Sequence, residues 1–315
     1  MTSTMTQFLG SRVLVTGARG FLGSNLCQEL LRSKAEVFAV TRRSPDCEDT
    51  DLHWLVGDVA KIGTVEDLFD VAKPDFVFHC TGSGQGGPEI DNVLPNLQDD
   101  LVPLVNVLVC VTKRTIRRLV LAASLEEPQP EKGESVPISP YAAAKSAGSS
   151  YARMFHALYG TPVVLTRPYM TYGPGQQHHK IIPHVVTSLL RGDAPRLGSG
   201  KRQVDWVYVD DVAKGMLAAA CAVGVEGRTF DLGSGALVPI RDVVEEIVGI
   251  IGGSVQPLLG ALPDRPVEQI RVADITKARE LLGWSPETPL RAGLERTVEW
   301  YRLAVENSAV ANRRN

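Results

Sequence analysis

Arg12-Val-Leu-Val-Thr16-Gly17-Ala-Arg19-Gly20-Phe21-Leu22-Gly23 is the stretch on which the fold turns. Its first five residues, Arg12–Thr16, form a short β-branched run that reads as a strand. A helical pattern takes over from Phe21 to Leu31. Three glycines lie in between, each with a task. Gly17 permits a tight turn, Gly20 lets the backbone approach a pyrophosphate, and Gly23 lets helix and sheet pack closely. The helix opening inside the motif turns free N–H groups and the positive end of its dipole toward the phosphates. Glycine motifs are common by themselves; the strand before and the helix after give this one its meaning.

The same alternation continues outward from the turn. Strands are predicted at Val37–Thr41, His53–Val56, Phe76–His79, Leu119–Ala123 and Pro162–Thr166. Helical patterns fall between them at Thr64–Ala72, Leu97–Thr112 and Ala142–Leu158. Near-continuous apolar strands separated by helices imply a parallel sheet covered on both faces. The expected fold is therefore α/β, a Rossmann-type doubly wound sheet. After Arg167 prolines and glycines multiply and the strands shorten. This places a NAD(P)-binding domain at residues 1–170, with segments near 205–235 (helix Val209–Ala222, strand Thr229–Leu232) returning to it. Residues 171–204 and 236–315 are expected to form a smaller substrate-binding lobe.

Bulk properties narrow the function classes. The chain has 315 residues and a net charge of −3, so no basic surplus points to nucleic acid or an anionic membrane. The apolar stretch Leu101–Val111 is broken by Pro103 and Asn106 and is too short to span a bilayer. Five scattered cysteines (Cys27, Cys47, Cys80, Cys110, Cys221) have no CxxC pairing and no histidine at ligand spacing, so reduced thiols and no metal are expected. His178 and His179 read as exposed loop residues, and Asp210-Asp211 as charge at a helix start. A soluble, cytoplasmic protein is the expectation.

Two positions carry chemistry beyond the glycine turn. Dinucleotide sites selective for NAD place an acid about 20 residues after the first glycine, to hold the ribose 2′-hydroxyl. Here that place reads Val40-Thr41-Arg42-Arg43. Guanidinium groups suit a 2′-phosphate in charge and fork geometry, and Arg19 can reach the same phosphate. The residues thus favour NADP, with NAD as the alternative. The second position is Tyr141-Ala-Ala-Ala-Lys145, after Pro140 at a helix start. The i, i+4 spacing sets phenol and ammonium on one face. The ammonium, with a nicotinamide's positive charge, is expected to lower the tyrosine's pKa so that it exchanges a proton with a hydroxyl or carbonyl.

Taken together, TGARGFLG, Gly57-Asp58-Val59, Ser124, Tyr141/Lys145, Tyr172-Gly173-Pro174-Gly175, Tyr208-Val209-Asp210-Asp211-Val212 and Leu282-Gly283-Trp284 resemble the extended short-chain dehydrogenase/reductase family, the nucleotide-sugar epimerases and dehydratases. The resemblance runs from Val13 to Tyr301. It implies that Gly17, Arg19, Gly20, Phe21, Leu22 and Gly23 bind the cofactor, that Asp58 bonds the adenine and that Val59 covers it. It also implies that Cys80, Thr81 and Gly82 line the cofactor, that Lys145 holds the nicotinamide ribose and that Pro168 lies near the carboxamide. Tyr141 is implied as acid/base, Ser124 as the group binding the substrate oxygen, and Arg265 as a contact to the sugar nucleotide's diphosphate. A homodimer through the helices starting near Leu97 and Tyr141 is implied as well.

The departures from that pattern lie on the sugar side. The usual His-x-Ala-Ala is His79-Cys80-Thr81-Gly82, and Glu127-Pro128 replaces a Tyr-Gly. Met170 stands where many members carry a substrate-contacting asparagine, and Arg202 is the nearest replacement for a phosphate arginine whose own place is Val204. Glu126 matches a glutamate that removes the C5 proton in the family's 4,6-dehydratases; it equally fits a loop residue facing water. The resulting expectation is an oxidoreductase acting at C4 of a nucleoside-diphosphate sugar, with NADPH-dependent reduction of a 4-keto sugar foremost. A 4-epimerase, a 4,6-dehydratase and a non-enzymatic dinucleotide sensor are the alternatives.

Overall fold

The computed structural model describes residues 7–44, 51–84, 86–128, 136–264 and 270–312. Two compact units divide the chain. The first comprises Met1–Pro168, Ala213–Leu232 and Ile275–Ser285; the second comprises Tyr169–Val212, Gly233–Asp274 and Pro286–Asn315.

The first unit begins with β1 (Arg12–Thr16), α1 (Phe21–Arg32), β2 (Glu36–Thr41), β3 (His53–Val56), α2 (Ile62–Ala72) and β4 (Phe76–His79). A continuous helical run follows, made of a 3-10 turn Ile90–Asn92, α3 (Val93–Asn96), a π segment Leu97–Leu101 and α4 (Val102–Thr112). Next come β5 (Arg118–Ala122), α5 (Pro140–Tyr159) and β6 (Val163–Pro168). The second unit opens with β7 (Met170–Tyr172), α6 (Ile181–Arg191), β8 (Gln203–Val204) and β9 (Trp206–Tyr208). The chain continues through α7 (Val209–Cys221), β10 (Thr229–Leu232), β11 (Val238–Pro239), α8 (Ile240–Ile251), α9 (Thr276–Leu282) and α10 (Leu290–Asn312).

The seven-stranded sheet of the first unit has the order β10-β6-β5-β4-β1-β2-β3, and all its pairings are parallel. Strand order reverses between β1 and β4, where Val15 pairs with Ala39 on one side and Phe78 on the other. A ligand crevice belongs at such a switch point, outside the carboxyl ends of the strands. The strands at the centre are apolar throughout because both sheet faces are covered: Val13, Val15, Val77, Phe78, Leu119 and Val120 are all buried. On one side Leu68, Phe69, Val107, Leu108, Val111 and Phe155 pack into a single core cluster. The helical run Ile90–Thr112 is long and apolar enough to cross a membrane, but its 18-residue window is 39% buried within the protein and includes Asp99 and Asp100.

Trp284 gains its place from α9: Gly283 ends that helix in a left-handed conformation, and Trp284 packs at Gly215 of α7. In the second unit, α6, α8 and α10 pack around an aromatic cluster in which Tyr172 meets Trp206 and Tyr208 edge-on. Asp205 braces its loops, accepting N–H bonds from Ser234, Gly235 and Ala273. Asp211 lies in the first turn of α7, and its carboxylate also receives the N–H groups of Glu287 and Thr288.

Candidate active site

The glycine turn has the form its sequence predicts. Gly17 has a φ of +72°, and a Cβ there would stand 2.7 Å from the carbonyl carbon of Cys80, so only glycine fits. α1 starts from Gly20 with no side-chain cap and no acid in its first turn, which leaves the N–H groups of Phe21, Leu22 and Gly23 for an anion. Across the switch point from this turn lies Cys80-Thr81-Gly82; the Thr81 hydroxyl is buried without a hydrogen-bond partner. A tight glycine cradle, open helix amides and an orphaned hydroxyl fit a dinucleotide pyrophosphate.

At the adenosine end, Asp58 Oδ1 accepts the N–H of Ala60, and Val59 is buried with its carbonyl bonded by Asn106. Arg42 and Arg43 follow β2 as read, and an Arg19 guanidinium N–H donates to the carbonyl of Ser44. One feature was not legible in the sequence: Arg42 Nη1 lies 3.2 Å from Asp99 Oδ1. An acid is therefore present beside the arginines, delivered by the π segment instead of β2.

The proton-handling groups gather at the ends of β4 and β5 and the start of α5. Ser139 caps α5 by accepting the Ala142 N–H, and Pro140 occupies the first turn, so Tyr141 and Lys145 begin a well-anchored helix. Lys145 Nζ donates to the carbonyl of Ala122 at 3.1 Å and lies 5.8 Å from the Tyr141 ring centroid. Ser124 stands beside the Tyr141 phenol and favours its ionised form, while the Ser124 Oγ accepts the Glu126 N–H. A Cβ on Gly86 would stand 3.0 Å from both Glu126 carboxylate oxygens. Glu126 thus packs against the glycine-rich loop after β4 and is close enough to act electrostatically on Tyr141. The structure brings together Ser124, Glu126, Tyr141 and Lys145.

The protein's own groups pull the Tyr141 phenol in both directions. Burial pushes the Tyr141 phenol above its ordinary pKa, Asp100 and Glu126 add to that, and Lys145 and Ser124 only partly oppose it. The ammonium alone does not win because it is shared. Burial works to lower the Lys145 ammonium, yet Tyr141, Asp100, Glu127 and Cys80 together hold it above its usual value. Asp100 is itself pushed up by burial, against Lys145 and two hydrogen bonds from Ser83, whose hydroxyl also meets Asn96. Burial, with Lys145 next, drops His79 to about 3, and its Nδ1 pairs with Thr16 Oγ1 at 2.8 Å. Burial likewise raises the Cys80 thiol to about 12, so it is no nucleophile. Asp99 and Asp100 escaped the sequence reading, because nothing in helical spacing tells which strand end a residue of this run faces, and in the sequence Glu127 reads only as a departure from the family's pattern.

Pro168 closes β6, paired with Leu232. Met170 and Arg202 belong to the second unit: Met170 N–H bonds the Asp205 carbonyl, and the half-buried Arg202 has its carbonyl bonded by Ile240. Arg265 and Cys47 lie outside the described residues. His178 and His179 are exposed, with His178 edge-on to Tyr301. Among the described residues no group of three His, Cys, Asp or Glu could hold a metal ion.

Comparison with known proteins gives the same answer from outside the chain. It is 28% identical to a dTDP-glucose 4,6-dehydratase of Streptomyces niveus, over 92% of this chain and 93% of that one. It is also 28% identical to a UDP-glucose 4-epimerase of Mycolicibacterium smegmatis, over 92% and 98%. The structure of a UDP-glucose 4-epimerase with UDP-glucose from Thermotoga maritima superposes with a TM-score of 0.82 at 25% identity, covering 93% of this chain and 99% of that one. The Bordetella bronchiseptica enzyme WbmF in complex with NADH does so with 0.83, again at 25% identity and 96% of each chain. Residues 13–233 match the model of the NAD dependent epimerase/dehydratase family. With the glycine cradle, the Ser124–Tyr141–Lys145 set and this match in agreement, the chain belongs to the NAD-dependent epimerase/dehydratase family, whose members are enzymes acting on nucleotide sugars.

Proposed function

We propose that this enzyme moves hydride between a nicotinamide dinucleotide and C4 of a nucleoside-diphosphate sugar. The observation that carries this is the Tyr141 phenol with Ser124 beside it and the Lys145 ammonium 5.8 Å from its ring centroid. In the oxidising direction Tyr141 takes the proton of the C4 hydroxyl, Ser124 orients the oxygen, and Lys145 stabilises the phenolate. The nicotinamide, when bound, accepts or returns the hydride. Gly17 to Gly23 hold its pyrophosphate, with Asp58, Val59, Cys80, Thr81, Gly82 and Pro168 around it.

Two observations select among the possible outcomes. Asp99 beside Arg42 would repel a 2′-phosphate and accept a bond from a 2′-hydroxyl, which favours NAD and a redox-neutral reaction. The expectation of NADP and net 4-keto reduction then rests on the guanidinium groups of Arg42, Arg43 and Arg19, and it is the second reading. Glu126 supplies a proton acceptor near Tyr141, which favours dehydration. It removes the C5 proton of the 4-keto sugar and passes a proton to the C6 hydroxyl, which leaves as water; the hydride taken from C4 returns to C6 while C5 takes a proton from solvent. Met170, Arg202 and Arg265 of the second unit are proposed to contact the sugar nucleotide. We also propose a homodimer, supported by the apolar side chains that the helical run and α5 leave exposed, in a cytoplasmic enzyme.

The test is incubation with dTDP- and UDP-glucose and either NAD or NADPH in deuterated water. Dehydration predicts solvent deuterium at C5, a 4-keto-6-deoxy product and no net cofactor consumption. Tyr141→Phe should lower turnover by roughly a hundredfold or more, and Glu126→Gln should abolish C5 exchange while leaving oxidation at C4. With a 4-keto sugar nucleotide as substrate, stoichiometric loss of NADPH would establish the reductase instead; with the glucose nucleotides, inversion at C4 without C5 exchange would establish the epimerase.

A further inference from the structure

Glu127 has no part in the chemistry described so far, yet it is 3% exposed in the middle of it. Its Oε1 accepts the backbone N–H of Ser124 at 2.9 Å, and its own N–H donates to the Ser124 carbonyl at 3.2 Å. The two residues clasp each other and close the turn that leaves β5. Inside that turn Glu126 N–H donates to Ser124 Oγ at 3.2 Å, which occupies one face of the hydroxyl and leaves the other for Tyr141 and a substrate oxygen. The clasp therefore fixes where the serine hydroxyl stands.

The carboxylate also takes part in the charge balance. The groups facing the Lys145 ammonium are Tyr141 from its own helix, Asp100 from the π segment, Cys80 and His79 from the end of β4, and Glu127 from the turn. Burying a carboxylate costs several kcal/mol unless a cation or donors compensate it, and here Lys145 and the Ser124 amide do so. In return part of the lysine's charge is engaged by an acid and withheld from the tyrosine.

We propose that Glu127 is a positioning residue of this site: its carboxylate fixes the Ser124 hydroxyl through the backbone clasp, and its negative charge acts across the turn on the Lys145 ammonium. The inference rests on Tyr141 being the proton-handling group, so its test reads that tyrosine directly and needs no sugar. In the NAD-loaded protein, phenolate absorbance is titrated for each chain and for its Tyr141→Phe counterpart. The difference isolates Tyr141 from the buried Tyr172, Tyr208 and Tyr301. Glu127→Gln removes the charge and keeps an acceptor for the Ser124 N–H. It should shift the Tyr141 midpoint down by roughly half a pH unit or more with little change in Tm. Glu127→Ala removes both and should add a fall of about tenfold in kcat, with KM altered less.

A merely structural glutamate predicts the opposite pattern: both variants lower Tm, and the Tyr141 midpoint stays in place. That result overturns the proposal, as does an alanine variant with full kcat. Failure to turn over any sugar nucleotide would count against the reaction proposed above while leaving the titration readable. Should the alanine variant not fold, the glutamine variant carries the test through the midpoint alone.

Discussion

At the scale of single residues, burial decides which charges this site tolerates. His79 sits under the sheet's switch point with its ring bonded to Thr16, and it takes up a proton only near pH 3. An unfolded histidine takes it up near 6.5. Across that interval the unfolded chain binds the extra proton, so this residue's contribution to stability is intact above the unfolded value and is lost as pH falls toward 3. Denaturant unfolding at a series of pH values should show the decline, and His79→Gln should flatten it; parallel curves for the two proteins would refute the assignment. Legibility at this scale followed spacing. Tyr141 and Lys145 share a helical face, and Ser124 ends an apolar strand, so both could be read from the sequence. The Arg42–Asp99 pair joins residues 57 positions apart through exposed side chains, and no periodicity announces it.

Among the elements, those of the first unit could be read because each obeys a strong local rule. Strands β1, β3, β4 and β10 have the boundaries their apolar runs predict, and α5 begins two residues earlier than its alanine-rich pattern because Ser139-Pro140 supplies a cap and a first-turn proline. The cap gives an element-scale prediction. Ser139→Ala removes the bond to Ala142 N–H and should cost about 1 kcal/mol, with a drop in turnover larger than the stability loss explains, since Tyr141 stands in the turn that frays. Equal stability in denaturant titrations would show that the cap contributes nothing. The second unit was less legible. Its strands β8 and β11 are two residues each, too short for alternation to register, and their pairing depends on contacts distant in sequence. The π segment Leu97–Leu101 also follows from no propensity; it shifts the helical phase where Asp99 and Asp100 emerge on different sides of the site.

The whole molecule presents apolar surface that a lone protomer leaves wet: Leu94 and Leu97 on the helical run, and Tyr151, Leu158 and Tyr159 on α5. If two copies cover it, light scattering at micromolar concentration should give twice the 34.1 kDa chain mass, and Leu94→Asp should yield monomer. A wild-type monomer would sink the dimer. Finally, Gly82 and Asp100 meet at close range. A Cβ at Gly82 would stand 2.7 Å from Asp100 Oδ1 and 3.4 Å from Lys145 Nζ, while Ser83 pins that carboxylate in place. The alanine usual in the resembling family would therefore push the Asp100 carboxylate off its bonds with Ser83. The two positions are coupled through that carboxylate: a side chain at residue 82 is accommodated only as the acid beside the active-site lysine gives way.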